Sequence, residues 1–414
     1  MDPKRKIKWS HVLLILGIIG PGIITAAVDN DAGGITTYSV AGANFGYALL
    51  WTLIPITILL IIVQEMVARL GAVTGKGLSD LIRENFGIKM TVLIMMGLTI
   101  ANLFVTVSEF AGIAAAGELF GISKYILVPL SALAVWILIL KLNYRTLEKL
   151  FLILALFYVA YIISGFFVKP EWNVVLKELI KPHLQFNKNF IFLLIALIGT
   201  TITPWMQFYL QSSIVEKGIR KDEYKYSRWD VIIGSISTDV VSFFIIVTCA
   251  VVLFSKGIRI ESAVDAAKAL VPLAGNYASS LFAFGFFGAA LFGAFIIPLS
   301  TSYYVCEAFG WESGVNKKFK DAKNFYILLL LMIIASALLV MIPSINLFFI
   351  IIFAQFINGI LLPIILVVIL KLVNQKRLMG EYRNNRLVNV IAWSGCILVI
   401  ATSLAMLLVT FTSI

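Results

Sequence analysis

Long apolar runs separated by short polar segments dominate the pattern of this chain. A helix needs roughly 20 mostly apolar residues to cross a hydrocarbon core about 30 Å thick, and such runs recur from end to end. The pattern predicts an all-α polytopic membrane protein with eleven spanning helices. They are placed at about residues 11–43 (broken), 48–72, 92–117, 124–141, 147–168, 189–215 (broken), 229–255, 278–307, 324–343, 346–373 and 386–412.

Composition and charge agree with this pattern and indicate an orientation. Hydrophobic residues make up 60% of the 414 and charged residues only 13%, which excludes an ordinary soluble domain. Most of the 33 Lys and Arg residues lie on the alternate loops that share a side with the N-terminus, as cytoplasmic loops do. We expect a protein of the cell membrane with its N-terminus in the cytoplasm and its C-terminus outside.

Several classes of function are not expected. The net charge of +11 lies on loops beside the membrane, where anionic lipid headgroups account for it, and no nucleic-acid motif accompanies it. The three cysteines match no zinc or disulfide spacing, and there is no Walker loop or nucleophile elbow. The expectation is a monomer in the lipid bilayer that is not an enzyme and has no cofactor.

The first interruption of the apolar pattern is the stretch AAVDNDAGG, residues 26–34. Irregular backbone and carboxylates at bilayer depth are tolerated only where protein buries them or where they line a wet cavity. Gly33 and Gly34 allow the chain to unwind beside Asp31, and unwound carbonyls with a carboxylate form a cation site. Asp29 and Asn30 can equally cap a helix, line the mouth of the site or act as ligands. The alternative is a water-exposed loop between two short helices.

The second interruption is GTTITPW, residues 199–205, in the sixth predicted span. Pro204 cannot donate to the helical ladder, and the threonines around it offer hydroxyls to freed backbone groups or to a ligand. An ordinary helix kink is the alternative. Two broken helices five spans apart indicate an inverted repeat with its site at the bilayer midplane. A single transport domain would then consist of repeats at 1–168 and 189–373, with an additional helix at 386–412.

Two longer stretches carry a family resemblance. GPGIITAAVDNDAGGITTYSVAGANFGYALLW resembles the first helix of the Nramp divalent-metal transporters, and KRLMGEYRNNRLVNVIAW resembles their loop between the tenth and eleventh helices. Gln355 stands where the family has a glutamine. The resemblance runs from about residue 8 to the C-terminus and implies a leucine-transporter-like fold that transports divalent cations.

The departures from the family motifs concern metal ligands. The family's Asp-Pro-Gly-Asn is Asp31-Ala32-Gly33-Gly34 here, so its asparagine ligand falls on Gly34. Its methionine ligand falls on Thr203 and its following histidine on Trp205. Beyond that point Met206 and Gln207 have no certain counterparts. These changes resemble those of the Nramp-related magnesium transporters.

The chemical type of the remaining ligands then indicates which ion is transported. Carboxylate, carbonyl and hydroxyl oxygens suit Mg²⁺ and, more weakly, Mn²⁺, and Mg²⁺ usually keeps several waters. From the resemblance we expect Asp31 to anchor the ion, with neutral oxygens from Thr203, the carbonyls of Val28 and Thr200, and Gln355. Other residues are expected beside the site or along the pathway: Glu109, Gly33, Gly34, Asp29, Asn30, Thr106, Pro204, Trp205, Gln207 and Asp239.

Proton coupling is not expected. Family members that carry protons use two acidic residues one turn apart on the third helix and the histidine of the sixth; here these positions hold Thr106, Glu109 and Trp205. Glu109 could still carry a proton or act as a nearby negative charge. The expected function is uncoupled Mg²⁺ uptake, also of Mn²⁺, by alternating access. The alternatives are a proton-coupled Mn²⁺/Fe²⁺ symporter and, in another class, a non-transporting membrane receptor or scaffold.

Overall fold

The computed structural model describes residues 20–141, 146, 158–343 and 346–412. All its regular elements in these ranges are helical. They are α1 (Pro21–Ala27), α2 (Ala32–Phe45), α3 (Leu53–Thr74), α4 (Leu78–Leu119), α5 (Lys124–Lys141), α6 (Val159–Phe167), α7 (Trp172–Ile180), α8 (Lys188–Thr201), α9 (Pro204–Glu216), α10 (Tyr224–Val252), α11 (Ala263–Ala267), α12 (Val271–Ala274), α13 (Ala278–Phe309), α14 (Lys323–Met341), α15 (Leu347–Val373), α16 (Lys376–Met379) and α17 (Arg386–Thr412), with short 3-10 turns between some of them.

Nine helical stretches of the described chain are long and apolar enough to cross a membrane. They correspond to the second to fourth and the sixth to eleventh predicted spans. The first and fifth predicted spans lie partly outside the described residues, at 11–19 and 147–157. The all-helical membrane fold is therefore confirmed, whereas the count of eleven stays a prediction.

Two predicted starts are wrong by more than a helical turn. The seventh span was predicted to begin at residue 229, but α10 begins at Tyr224, and the difference is larger for the third span. The third span was predicted to begin at residue 92, but α4 is helical from Leu78 with a kink at Gly87, whose φ of 79° lies in the left-handed region. Charged residues before the kink hid this segment from a hydropathy pattern. The segment is helical because tertiary contacts hold it: Arg83 donates to the carbonyls of Glu307 and Ala308 at 3.0 and 2.9 Å.

Helix α10 holds the first half of the broken helix in place. The carboxylate of Asp230 accepts hydrogen bonds from the backbone N–H groups of Gly20, Gly22 and Ile23, at 3.1, 2.7 and 3.3 Å. These are the free donors at the N-terminus of α1, where a negative charge is also favoured by the helix dipole. A Cβ on Gly22 would lie 2.7 Å from the backbone nitrogen of Val231, so α1 and α10 cross in direct backbone contact.

The two ends of the bundle differ in their loops. At one end, here called the basic end, the loops at 75–77, 217–223, 310–322 and 374–385 carry many Lys and Arg residues. Hydrogen bonds tie this end together, for example from Gln211 Nε2 to the carbonyl of Lys76 at 2.9 Å. The opposite end carries α7 and the short helices α11 and α12.

Candidate cation site at two broken helices

The first helix is interrupted between α1 and α2. Residues Val28–Asn30 form a 3-10 turn, Asp31 is extended with ψ of −169°, and α2 begins at Ala32. Asp31 Oδ1 caps α2 by accepting from Gly34 N at 2.8 Å. Asp29, Asn30 and Asp31 are 2%, 1% and 3% exposed. Because protein buries all three, the interruption is an unwound segment inside the bundle rather than a loop in water.

The predicted backbone ligand in this segment already has a hydrogen bond. The carbonyl of Val28 accepts from Asp31 N at 3.0 Å, which closes the 3-10 turn. A carbonyl oxygen has two lone pairs, so this bond leaves one available.

The glycines of the segment are required by close approaches. A Cβ on Gly34 would collide with the carbonyl oxygen of Asp29, and a Cβ on Gly33 would collide with the side-chain amide of Gln355 and lie 3.0 Å from Asp31 Oδ1. Gly33 therefore lets Gln355, from the middle of α15, reach the side of Asp31.

The side-chain amide of Gln355 can present either of its ends to the segment. Gln355 Oε1 accepts from Asn358 Nδ2 at 3.1 Å, and Gln355 Nε2 and Asn358 Oδ1 have no hydrogen-bond partner within the described ranges. If the oxygen and nitrogen positions are exchanged in both side-chain amides, one hydrogen bond between them remains, from Gln355 Nε2 to Asn358 Oδ1. That exchange places Gln355 Oε1 beside Gly33, as a cation ligand requires.

The carboxylate of Glu109, in α4, contacts the N-terminus of α2, which Asp31 caps. Its Oε2 accepts from Ala32 N at 3.2 Å and its Oε1 accepts from the Ser108 hydroxyl at 3.1 Å. Glu109 is fully buried, and it packs against Gly293 of α13 so closely that a Cβ there would collide with its carboxylate. Two carboxylates thus share the N-terminus of α2, where backbone donors and the helix dipole favour negative charge.

Thr106 lies one turn before Glu109 and is occupied within its own helix. Its hydroxyl donates to the carbonyl of Asn102 at 2.8 Å.

The second interruption lies between α8 and α9. Ile202 and Thr203 leave the helical conformation, with ψ angles of 63° and 138°, and α9 begins at Pro204. Since Pro204 has no N–H, the carbonyl of Thr200 lacks the donor that a continuous helix would provide. The Thr203 hydroxyl is buried and has no hydrogen-bond partner among the described residues. This interruption therefore presents free oxygens, those of the Thr203 hydroxyl and the Thr200 carbonyl.

The two interruptions are joined by one direct bond. The hydroxyls of Tyr38, in α2, and Thr201, in α8, lie 2.7 Å apart. This bond fixes the second half of the first broken helix to the first half of the second.

Two further predicted residues follow in α9. Gln207 Nε2 donates to the carbonyl of Thr203 at 3.3 Å, and Trp205 is held by a bond from the Ser300 hydroxyl to its carbonyl at 3.2 Å. Gln207 Oε1 and Trp205 Nε1 are buried without a partner in the described part of the chain. Trp205 therefore places a buried indole at the start of α9.

The remaining predicted residues face α10 instead. Asn30 Nδ2 donates to the carbonyl and hydroxyl oxygens of Thr238, at 3.2 and 2.5 Å, and the Ser242 hydroxyl donates to Asn30 Oδ1 at 3.2 Å. The Thr238 hydroxyl also lies 3.4 Å from Asp29 Oδ2. The structure thus places Asp29 and Asn30 against Thr238 of α10, whereas the next residue, Asp239, borders a groove with Thr57 of α3 and Leu179 of α7.

Sequence reasoning missed two buried tyrosines. Tyr158 is buried, and its hydroxyl lacks a hydrogen-bond partner among the described residues. Tyr38 bridges the two interruptions. Both lie in apolar runs where a tyrosine is not distinguishable from a packing residue.

Few side chains around Asp31 are of the types that bind metal ions strongly. Within the described ranges, three or more His, Cys, Asp or Glu residues never come together in a way that could hold a metal ion. Apart from the carboxylates of Asp31 and Glu109, a cation at this position would therefore depend on neutral oxygens and on water.

Comparisons with known proteins agree with this architecture. The family model described as "Natural resistance-associated macrophage protein-like" (Nramp) matches residues 22–409. The divalent metal cation transporter MntH of Klebsiella pneumoniae (strain 342) is 27% identical over 400 residues, which cover 94% of this chain and 91% of the relative. The protein of the same name from Bacillus subtilis (strain 168) is 24% identical over 416 residues, covering 96% and 93%.

A solved structure has the same fold. The manganese transporter of Eremococcus coleocola superposes with a TM-score of 0.77 at 21% sequence identity, covering 99% of this chain and 88% of its own. A family match over residues 22–409 and a shared fold lead to one conclusion: this chain belongs to the Nramp family.

Proposed function

We propose that this protein is a secondary transporter that takes up divalent cations, preferably partly hydrated Mg²⁺ and also Mn²⁺, by alternating access and without proton coupling. The observation that carries the proposal is the position of Asp31, a buried carboxylate at the interruption of one helix, with the free oxygens of a second interruption in the same fold. The names of the MntH relatives support the general cargo class of divalent metal cations.

The preference for Mg²⁺ follows from the ligands. Asp31, Thr203, the carbonyls of Val28 and Thr200, and Gln355 offer only oxygen atoms to an ion, and oxygen ligands favour hard cations. Gly34 and Thr203 stand where the resemblance places an asparagine and a methionine. Both replacements are smaller, so the site gains room for water that the ion keeps.

The absence of proton coupling follows from the side chains that stand where the resemblance places proton carriers. Thr106 and Trp205 do not exchange protons near neutral pH. Membrane potential alone is sufficient as a driving force, because a divalent ion gains about 4.6 kcal/mol on crossing 100 mV.

The runner-up is a proton-coupled Mn²⁺ or Fe²⁺ symporter. Glu109 favours it, since this carboxylate accepts from the backbone of Ala32, next to Asp31. A solved relative of the same fold is described as a manganese transporter.

The orientation in the membrane is also part of the proposal. With the basic end in the cytoplasm, the chain has an inside N-terminus and an outside C-terminus, which agrees with the usual excess of Lys and Arg on cytoplasmic loops. We propose that it works as a monomer in the cell membrane.

The experiment is transport in liposomes that contain both a Mg²⁺-sensitive dye and a pH-sensitive dye. An inside-negative potential is applied with Mg²⁺ or Mn²⁺ outside. The proposal expects Mg²⁺ entry without acidification of the interior. Entry of Mn²⁺ alone, together with acidification, would replace it by the proton-coupled alternative. No entry of either ion, from protein that elutes as a single species, would favour a non-transporting role.

A further inference from the structure

A pocket of about 290 Å³ lies at the end of the bundle opposite the basic end, between α2, α8, α15 and the loop that follows α10. We call it the Arg259 pocket. Its lining includes Val40 and Asn44 of α2, Asn189 and Leu193 of α8, Ile352 of α15, and Arg259 of the loop. The three helices are those that carry Gly33, Thr200 and Gln355 of the candidate site.

The Arg259 pocket follows the same helix faces as the candidate site. Residues three, four or seven positions apart share one face of an α-helix. Pocket residues on each helix have this spacing from a residue of the site: Val40 follows Gly33 by two turns, Leu193 precedes Thr200 by two turns, and Ile352 precedes Gln355 by one turn. At 1.5 Å per residue these steps are about 5–10 Å along the helices. The pocket therefore lies next to the site, on the side away from the basic end.

The face of α2 between the pocket and the site is polar. Thr36 and Thr37 lie between Gly33 and Val40, and their hydroxyls are buried without a hydrogen-bond partner in the described part of the chain. Buried hydroxyls are nearly always paired, with protein or with ordered water. These two hydroxyls favour water between the pocket and the site, as an ion pathway requires.

The charge of the pocket is unusual for a route taken by cations. Among the described residues that line it, Arg259 carries the only charge, and the other polar side chains are neutral asparagine amides. Arg259 is exposed, and a guanidinium stays charged at any physiological pH. Glu261, two positions later, borders a separate pocket beside Lys124. The Arg259 pocket thus presents a positive charge to an approaching ion.

We infer that the Arg259 pocket is the entrance through which divalent cations reach Asp31 from outside, and that Arg259 is an electrostatic barrier at this entrance. The barrier lowers the rate at which ions are captured. This inference rests on the proposed function, from which it takes the class of ion and the external position of this end. It adds to that function a residue that sets the apparent affinity without contact with the bound ion.

Coulomb repulsion gives the size of the effect. A divalent cation that passes about 10 Å from a guanidinium in water is depleted there roughly fourfold. The Debye length is about 30 Å at 10 mM salt, which leaves roughly a threefold effect, and about 8 Å at 150 mM, which leaves less than about twofold. Only capture is slowed, so the uptake rate at saturating ion concentration should not depend on Arg259.

The test is the initial rate of Mn²⁺ uptake into intact cells that express the full-length chain, where all copies share one orientation. Cells without the protein give the background, and sucrose keeps the osmolarity of the 10 mM and 150 mM salt media equal. Arg259→Gln is expected to raise uptake at subsaturating Mn²⁺ roughly threefold in 10 mM salt and less than about twofold in 150 mM salt. At saturating Mn²⁺ its rate should equal that of the wild type.

Three further variants, compared at equal amounts in the membrane, separate charge from structure. Arg259→Lys keeps the charge and is expected to keep the wild-type rate. Lys256→Gln removes the same charge from the same loop, at an exposed position outside the pocket lining, and should change the rate less than Arg259→Gln. Asn44→Asp adds a negative charge to the pocket from α2, and it should raise subsaturating uptake in low salt even if a change in the loop is not tolerated.

The outcomes separate this inference from the proposed function. Uptake by the wild type that is equal or faster than uptake by Arg259→Gln and Asn44→Asp would overturn the inference and leave the proposed function intact. Equal increases in Arg259→Gln and Arg259→Lys would overturn it as well, because the charge would then not be the cause. Absence of Mn²⁺ uptake by the wild type would remove transport of this ion and the inference with it.

Discussion

The hydrogen bonds of Asp230 allow us to predict how much stability α1 loses when this residue is replaced. This carboxylate accepts from three backbone N–H groups at the start of α1, those of Gly20, Gly22 and Ile23. Asp230→Ala leaves all three donors without their partner. Each such buried donor costs about 1–3 kcal/mol, and after partial compensation by water we expect a loss of about 3–5 kcal/mol. Asp230→Asn keeps one acceptor oxygen, and we expect it to lose about half as much.

The effect should be local to α1, so the assay is hydrogen–deuterium exchange of peptides covering residues 20–27. A loss of about 3 kcal/mol raises the population of the opened segment, and therefore its exchange, by roughly 100-fold in Asp230→Ala. The control is Asp222→Ala, which removes an exposed carboxylate in the loop before α10. Equal exchange in the Asp230→Ala and Asp222→Ala variants would refute the view that Asp230 fixes α1.

Three further predictions concern the interruptions. In Gly33→Ala, the new methyl collides with the Gln355 amide, so strain of about 1–3 kcal/mol should lower the Mg²⁺ uptake rate by roughly tenfold or more, without loss of folded protein on size exclusion. Thr203→Met places a thioether at the second interruption, and competition uptake should show the preference for Mn²⁺ over Mg²⁺ rising roughly tenfold; an unchanged ratio would mean that residue 203 does not contact the ion. Tyr38→Phe removes the bond to Thr201 and should destabilise the protein by about 1 kcal/mol in thermal unfolding, whereas an equal stability would show that the bond contributes nothing.

Much of the fold was predictable because the bilayer imposes a simple length requirement on apolar helices. The same requirement made the two interruptions visible, since Asp31 and Pro204 contradict the surrounding pattern. The helical segment before Gly87 was missed because it is polar and depends on distant partners such as Glu307. A hydropathy pattern indicates which segments can lie in lipid, but it does not indicate a hydrogen bond between two helices.

The candidate site was predictable in kind but not in its contacts. Residue types at the interruptions indicated an oxygen-rich site, which stays a prediction, whereas the approach of the Gln355 amide to Gly33 is visible only in the structure. The sequence could not indicate that Asp29 and Asp31 point to different neighbours, because both lie in the same three-residue stretch. Only the fold brings Thr238, more than 200 positions later, into contact with Asp29 and Asn30.

Transport by this protein depends on Asp31 if its carboxylate binds the transported ion. Mg²⁺ uptake into liposomes is compared for the wild type, Asp31→Asn and the surface control Asp321→Asn at equal amounts of reconstituted protein. We expect uptake to fall to the level of protein-free liposomes in Asp31→Asn and to be unchanged in Asp321→Asn. Wild-type uptake by Asp31→Asn would show that Asp31 does not bind the transported ion.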